Sequence, residues 1–269
     1  MGGNVEGISA SMRNLILEEQ QNGLRIILNR PNKLNALNEE MYAELHYVLD
    51  IVEKNPKYRV LIFTGSGSAF CAGGDIKELS RAAATLESAQ DRLRMSHSLA
   101  TRLRNLKQPV IMSVNGVAVG AGFSLALNGD IIIASRTASF GASFIRVGLL
   151  PDMGAIHNLV RLLGTKKACE LCFLGDTIEA AEAEKIGIVN KTVGKEELTE
   201  ATDEWVCRLG SLPPLQLGLL KRAVYKAEDM NFSAELEDEI NLQNLCLLSK
   251  DGKEGLAAFL EGRKPAFSI

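Results

Sequence analysis

Proline and aromatic residues are both sparse in this chain of 269 residues, with 7 Pro and an aromatic share of 5%. So little proline, beside 46% hydrophobic and 23% charged residues, excludes a proline-rich linker or a disordered chain and describes an ordered globular body. The length leaves open one large α/β domain or a core with a smaller appendage. No window gathers lysine and arginine with interleaved aromatics, and 30 basic against 33 acidic side chains give a net charge of -3, which excludes a nucleic-acid groove. Long apolar runs are missing too: Val110–Val114 and Ile131–Ala134 fall far short of the ~20 residues that cross a bilayer, which excludes a membrane span. Cysteine is infrequent and odd in number, and Cys71, Cys169, Cys172, Cys207 and Cys246 have no framework spacing. Reduced thiols in a cytoplasmic setting are therefore expected, without disulfides. Cys169 and Cys172 have no second cysteine pair and His46, His97 and His157 lie far apart, so no metal site is expected. Residues 1–12 lack the basic and apolar regions of a secretory signal and are expected to form a flexible tail.

What is present is an alternation of strands and helices. Two apolar runs around Gln20-Gln21-Asn22-Gly23 predict an opening β-hairpin over 15–28. Asn38 can cap a helix whose Met41, Leu45, Val48, Leu49 and Val52 recur on one face. Buried strands follow at 59–64, 110–114 and 130–134, with a shorter one near 138–140 and a helical stretch ending near Leu106. This order predicts an α/β core of largely parallel strands over 13–195. From 196 to 269 the pattern changes to amphipathic helices around 197–209, 215–228 and 232–248 with a short one near 255–261, which predicts a helical C-terminal subdomain.

Three segments carry candidate chemistry. The first, Thr64 to Lys77, contains Gly73-Gly74, where a backbone without Cβ atoms can approach a ligand and turn N–H groups toward an anionic oxygen. An ordinary turn explains the pair equally, and Phe70 stands where a dinucleotide fingerprint needs its third glycine. The second, Gly116 to Gly122, leads into a helix whose first N–H groups have no internal partners and sit at the positive end of its dipole, although tight packing alone also accounts for such glycines. Here Gly122-Phe123-Ser124-Leu125-Ala126 nearly matches the nucleophile elbow of serine hydrolases, whose triad would need His157 together with Asp152, only five residues away from it, or with another acid. In the third, Phe140 to Gly154, Asp152 is a carboxylate in apolar sequence; burial would raise its pKa toward the range of a general acid or base, while an aspartate following Pro151 also suits a plain turn.

Taken together, Arg30-Pro31-Asn32-Lys33-Leu34-Asn35-Ala36-Leu37, Phe70 to Asp75 and Asn115 to Gly122 resemble the enoyl-CoA hydratase/isomerase (crotonase) family. The likeness continues through Phe140-Gly141, Gly148 to Pro151, Leu174-Gly175-Asp176, Ala180 to Ala183 and the ending Glu254 to Leu260. The resemblance implies an α/β spiral of repeated ββα units with a helical C-terminal trimerisation region, assembled as a homotrimer or homohexamer. It implies an acyl-CoA thioester as substrate, with no cofactor beyond the CoA the substrate carries. By motif position, the amides of Gly74 and Ala121 would hold the thioester oxygen, and Lys33, Leu34, Ala36, Ala72, Asp75, Ile76 and Lys77 would line the CoA arm. Hydratases of the family carry two glutamates where this chain has Ser124 and Phe144, and neither side chain can activate water or protonate an α-carbon. Family isomerases often keep one carboxylate at the position of Asp152. The expected reaction is therefore a double-bond shift in an enoyl-CoA with Asp152 as proton shuttle; a hydratase with atypical residues, a thioester hydrolase using Ser124 and a non-catalytic acyl-CoA binder are the alternatives.

Overall fold

The computed structural model describes residues 5–268 as a mixed α/β body with two sheets. Its strands are β1 Leu15–Gln20, β2 Gly23–Leu28, β3 Val60–Gly65, β4 Ala69–Cys71, β5 Val110–Val114, β6 Val117–Val119, β7 Ile131–Ser135, β8 Ser139–Gly141, β9 Thr177–Glu179 and β10 Lys191–Val193. The helices are α1 Val5–Ser11, α2 Glu39–Lys54, α3 Ile76–Ala82, α4 Leu86–Asn105, α5 Ala121–Leu127, α6 Ala155–Leu174, α7 Ala180–Lys185, α8 Leu198–Gly210, α9 Pro214–Ala227, α10 Phe232–Leu248 and α11 Lys250–Leu260.

Strands β3, β5 and β7 each hand the chain to a short strand. The larger sheet runs β1-β2-β3-β5-β7-β10 and the smaller β4-β6-β8-β9, so β3, β5 and β7 lie side by side in one while β4, β6 and β8 lie side by side in the other. All pairs are parallel except β1 with β2 and β8 with β9. The functional loops leave from the small sheet, because each β3-to-β4 or β5-to-β6 step ends where a glycine-rich segment begins.

Strands buried on both faces explain the continuous apolar runs. Val60 and Ile62 of β3 face a cluster with Ile111, Ile133 and α8 residues Leu198, Ala201 and Val206, while Leu61 and Phe63 face the main core with α2 and α4. The hairpin turn is Gln21-Asn22, with Asn22 at φ 66° and Gly23 already paired to Gln20.

Two expectations change. Within the expected flexible tail, residues 5–11 form α1: Val5 is buried, Ile8 and Met12 pack beside it, and the Leu17 amide donates to Ser9 Oγ at 2.9 Å. Their i, i+3, i+7 spacing is a helical stripe among small residues. Residues 1–4 of that tail lie outside the described residues. The boundary expected at 196 is also not a packing boundary, since α8 lies against the large sheet; the helices that leave the sheet begin with α9.

Candidate functional site

The segment 31–37 is folded by one side chain. Leu34 and Asn35 take left-handed φ values of 48° and 57°. Buried Asn35 holds that conformation by accepting from the Arg30 amide at 2.9 Å and donating to the Ser66 and Ala69 carbonyls at 2.9 and 2.8 Å. The segment then zips onto the first glycine loop. Ala72 N–H donates to Leu34 O at 2.9 Å, Leu37 N–H to Gly73 O at 2.8 Å and Asp75 N–H to Leu37 O at 2.9 Å. In extended chain, successive N–H groups point to opposite sides. With Gly73 O and Asp75 N–H both turned toward Leu37, the Gly74 N–H is turned the other way, and among the described residues it has no protein acceptor.

The second donor arises from a helix start. Gly120, at φ 54°, donates to Gly141 O at 2.9 Å, and the first helical amide with an acceptor is that of Ser124, bonded to Gly120 O at 3.0 Å. Ala121 N–H is thereby left without an internal partner among the described residues. The two loops touch. Gly73 sits at φ 104°, and a methyl group on it would lie 3.5 Å from the Ala121 nitrogen and 3.1 Å from the Val119 oxygen. Gly122 is required for a different reason: a Cβ there would lie 2.1 Å from the Cys71 carbonyl oxygen, so the helix can rest on β4 only without one. The structure thus brings Gly74 and Ala121 into neighbouring loops, each with a free amide.

Asp152 follows a 3-10 turn, Ser143–Val147, in which Phe144 is buried. Asn128, at the end of α5, ties this segment to the second loop by donating to Ser124 O at 2.7 Å and to Met153 O at 2.9 Å. Tyr42 of α2 donates its hydroxyl to Met153 Sδ at 3.6 Å. Held this way, Asp152 has one carboxylate oxygen, Oδ1, buried without a partner. Burial pushes its carboxyl above the usual carboxylate range, against the opposing pull of His97 and Arg92 on α4. With that oxygen unpaired among the described residues, the carboxyl can exchange a proton with a bound molecule.

The residues expected along the CoA arm lie in two segments joined by the backbone bonds of Leu34, Leu37 and Asp75. Lys33, Leu34, Ile76 and Lys77 are exposed and Ala36 and Ala72 partly so. Asp75 is engaged structurally: it pairs with Arg30 at 3.0 Å and caps α3 by accepting from Lys77 N–H at 3.1 Å. Burial alone would raise its pKa; the arginine and the two amides outweigh that and hold it low.

Ser124 does not form a hydrolase elbow. It is fully buried in α5, its hydroxyl reaches only Gly120 O at 3.4 Å, and His157 is engaged with Glu228 at 3.2 Å. Asn128, Tyr42, Arg92 and His97 were invisible as site residues in the sequence. No local pattern marks them, because their roles come from contacts between segments distant in the chain.

Comparison with known proteins shows the family. The enoyl-CoA hydratase/isomerase family model matches residues 18–268. The chain is 37% identical to the 1,2-epoxyphenylacetyl-CoA isomerase of Escherichia coli (strain K12), over 96% of this chain and 99% of that protein. It is 34% identical to the short-chain-enoyl-CoA hydratase of Clostridium acetobutylicum, over 94% of this chain and 97% of that protein. A crystal structure of an enoyl-CoA hydratase from Bacillus anthracis superposes with a TM-score of 0.90 at 32% identity, covering 95% of this chain and 99% of the other. With the fold and nearly the whole length of the sequence in agreement, the chain belongs to the enoyl-CoA hydratase/isomerase family and is an enzyme of it.

Proposed function

We propose that this enzyme shifts a carbon-carbon double bond in an enoyl-CoA, with Asp152 carrying the proton. One observation carries the reading: a half-buried carboxyl, whose Oδ1 is buried and unpartnered among the described residues, sits on a loop tied to the helix of Ala121, while positions 124 and 144 hold serine and phenylalanine. Hydration needs a base for water and an acid for the α-carbon, whereas a double-bond shift needs one group used twice. The Asp152 carboxylate takes the C2 proton of a 3-enoyl thioester, and the C–H electron pair moves toward the carbonyl. The resulting dienolate oxygen is held by the Gly74 and Ala121 amides, and the same proton returns to C4. Buried Phe144 keeps water from the intermediate. The relative named an isomerase supports this reading.

The same proposal places the CoA moiety, the only cofactor-like group the reaction calls for, along the arm. Lys33 and Lys77 offer positive charge to its phosphates, exposed Leu34 and Ile76 offer apolar surface, and Ala36, Ala72 and Asp75 form the floor between them. A homotrimer or homohexamer built through the C-terminal helices would cover the exposed Leu220, Val224, Phe232, Leu248, Phe259 and Leu260. Free cysteines suit a cytoplasmic setting, and no helix among the described residues is long and apolar enough to cross a membrane.

A panel of 2-enoyl- and 3-enoyl-CoA thioesters followed by mass and absorbance tests the assignment. The expected result is conversion of 3-enoyl-CoA to its 2-enoyl isomer without mass change. Brisk addition of water to 2-enoyl-CoA with 3-enoyl-CoA untouched would overturn it.

A further inference from the structure

Arg92, in the second turn of α4, is only 7% exposed. Arginine is seldom buried without a carboxylate, because an unpaired charge in the interior is costly. Among the described residues Arg92 nevertheless makes no ion pair. Its one hydrogen bond is from Nη2 to Leu37 O at 3.4 Å, its Nε is buried without a partner, and its guanidinium lies 5.9 Å from the centre of the Tyr42 ring.

These contacts put it between the two halves of the site. Leu37 O is the carbonyl that also accepts from Asp75 N–H and so fixes the direction of the Gly74 amide. A methyl group on Gly74 would sit 3.3 Å from Arg92 Nη2. Tyr42, whose ring centre lies 5.9 Å from the guanidinium, reaches Met153, the residue that follows Asp152 in the chain, through its hydroxyl. The groups that bear on Asp152 are Arg92 and His97 from α4 and Tyr42 from α2, with Cys71 of β4 adjoining Tyr42. Tyr42 and Cys71 are both held protonated by burial. Of the two side-chain types, the guanidinium is the one that stays charged wherever proteins function.

We propose that Arg92 is a positioning residue for the reaction: one buried cation braces the bridge that presents Gly74 and supplies the permanent positive charge next to Asp152. The proposal rests on the reading of Asp152 as the proton carrier. An arginine with only a structural role would be expected to spend its donors on fixed acceptors, whereas among the described residues this one keeps a buried Nε unpaired and reaches the Asp152 segment only through Tyr42 and Met153.

The test measures Asp152 directly as well as through turnover. In enzyme carrying carbon-labelled aspartate, the Asp152 carboxyl resonance is assigned by its loss in D152N and titrated by NMR in wild type, R92K, R92Q and R92M. R92Q and R92M are made together so that one neutral variant remains if the other does not fold, with thermal melting as the check. The expected result is an Asp152 pKa higher by several tenths to about one unit in the neutral variants and close to wild type in R92K, since an opposite charge within ~4–6 Å shifts a carboxyl by 1–3 units and a more distant one by less. The acid limb of kcat/KM for 3-enoyl-CoA moves upward by the same amount, a loss of up to about tenfold below that limb. A folded neutral variant whose Asp152 titrates as in wild type overturns the role of Arg92. An NMR shift in an enzyme that leaves 3-enoyl-CoA unchanged keeps the role of Arg92 and removes the isomerase reading instead.

Discussion

Around Gly74 the neighbouring backbone is paired, through Ala72, Gly73, Leu37 and Asp75, and the Asp75 carboxylate is shared between Arg30 and the start of α3. Around Asp152 the backbone is paired as well, through Asn128 and Met153, but the carboxyl oxygen is left buried and alone. The two aspartates thus serve opposite ends. Asp75 is drawn below the usual carboxylate range and acts as a strut, while burial drives Asp152 above it and leaves its proton exchangeable. A main-chain donor is made available by pairing its neighbours, whereas a side-chain acid is made available by withholding partners from it.

The sharpest break in that comparison is D152N, which keeps the shape and removes the proton carrier. Isomerisation should fall by about 10²–10⁴-fold in kcat with little change in KM, the usual range for losing a general base. The same variant should be more stable than wild type at neutral pH. Because burial raises the folded-state pKa of Asp152 above its unfolded value of ~3.9, folding favours the protonated form, and wild-type stability is lost as pH rises from there through the folded pKa. Melting curves should therefore separate the two proteins at pH 7 and converge in acid. Equal melting temperatures across the range would show that the carboxyl is not strained by burial.

G122A probes the donor side. Its Cβ would meet the Cys71 carbonyl oxygen at 2.1 Å, so α5 must move off β4 and carry the Ala121 amide with it. Losing one such donor typically costs about 2.7–4 kcal/mol in the transition state, so kcat should drop about 10²–10³-fold along with a lower melting temperature. Wild-type turnover in G122A would mean that the donor geometry does not depend on this contact.

How far the sequence reached follows the same division. The elements around Gly74 and Ala121 were legible because they are local: a strand that stops at Gly65, a Gly pair, and a small-residue loop opening a helix. Asp152 was legible as a lone acid in apolar sequence. Arg92 was not, because α4 has a largely polar surface and its sequence cannot say which of its arginines is turned inward against Leu37 and Tyr42. Asn128 escaped for a similar reason, since it joins α5 to a loop 25 residues away. Helix α1 was hidden by its small residues, and the packing of α8 on the sheet by the change of pattern that set it with the later helices.

The smallest expected effect is that of S124A, and it bears on the remaining chemical alternative. A nucleophilic serine has to be exposed at a turn with a histidine in reach. Ser124 is fully buried, sits inside α5 and touches Gly120 O only at 3.4 Å, a distance that marks a weak bond. Removing its hydroxyl leaves the helix backbone and both free amides in place, so isomerisation in S124A should stay within about threefold of wild type, a change of under ~1 kcal/mol. A thioester-cleaving activity present in wild type and absent from S124A would instead make the serine a nucleophile. That outcome would require α5 to open, because in the closed fold no histidine approaches the hydroxyl among the described residues.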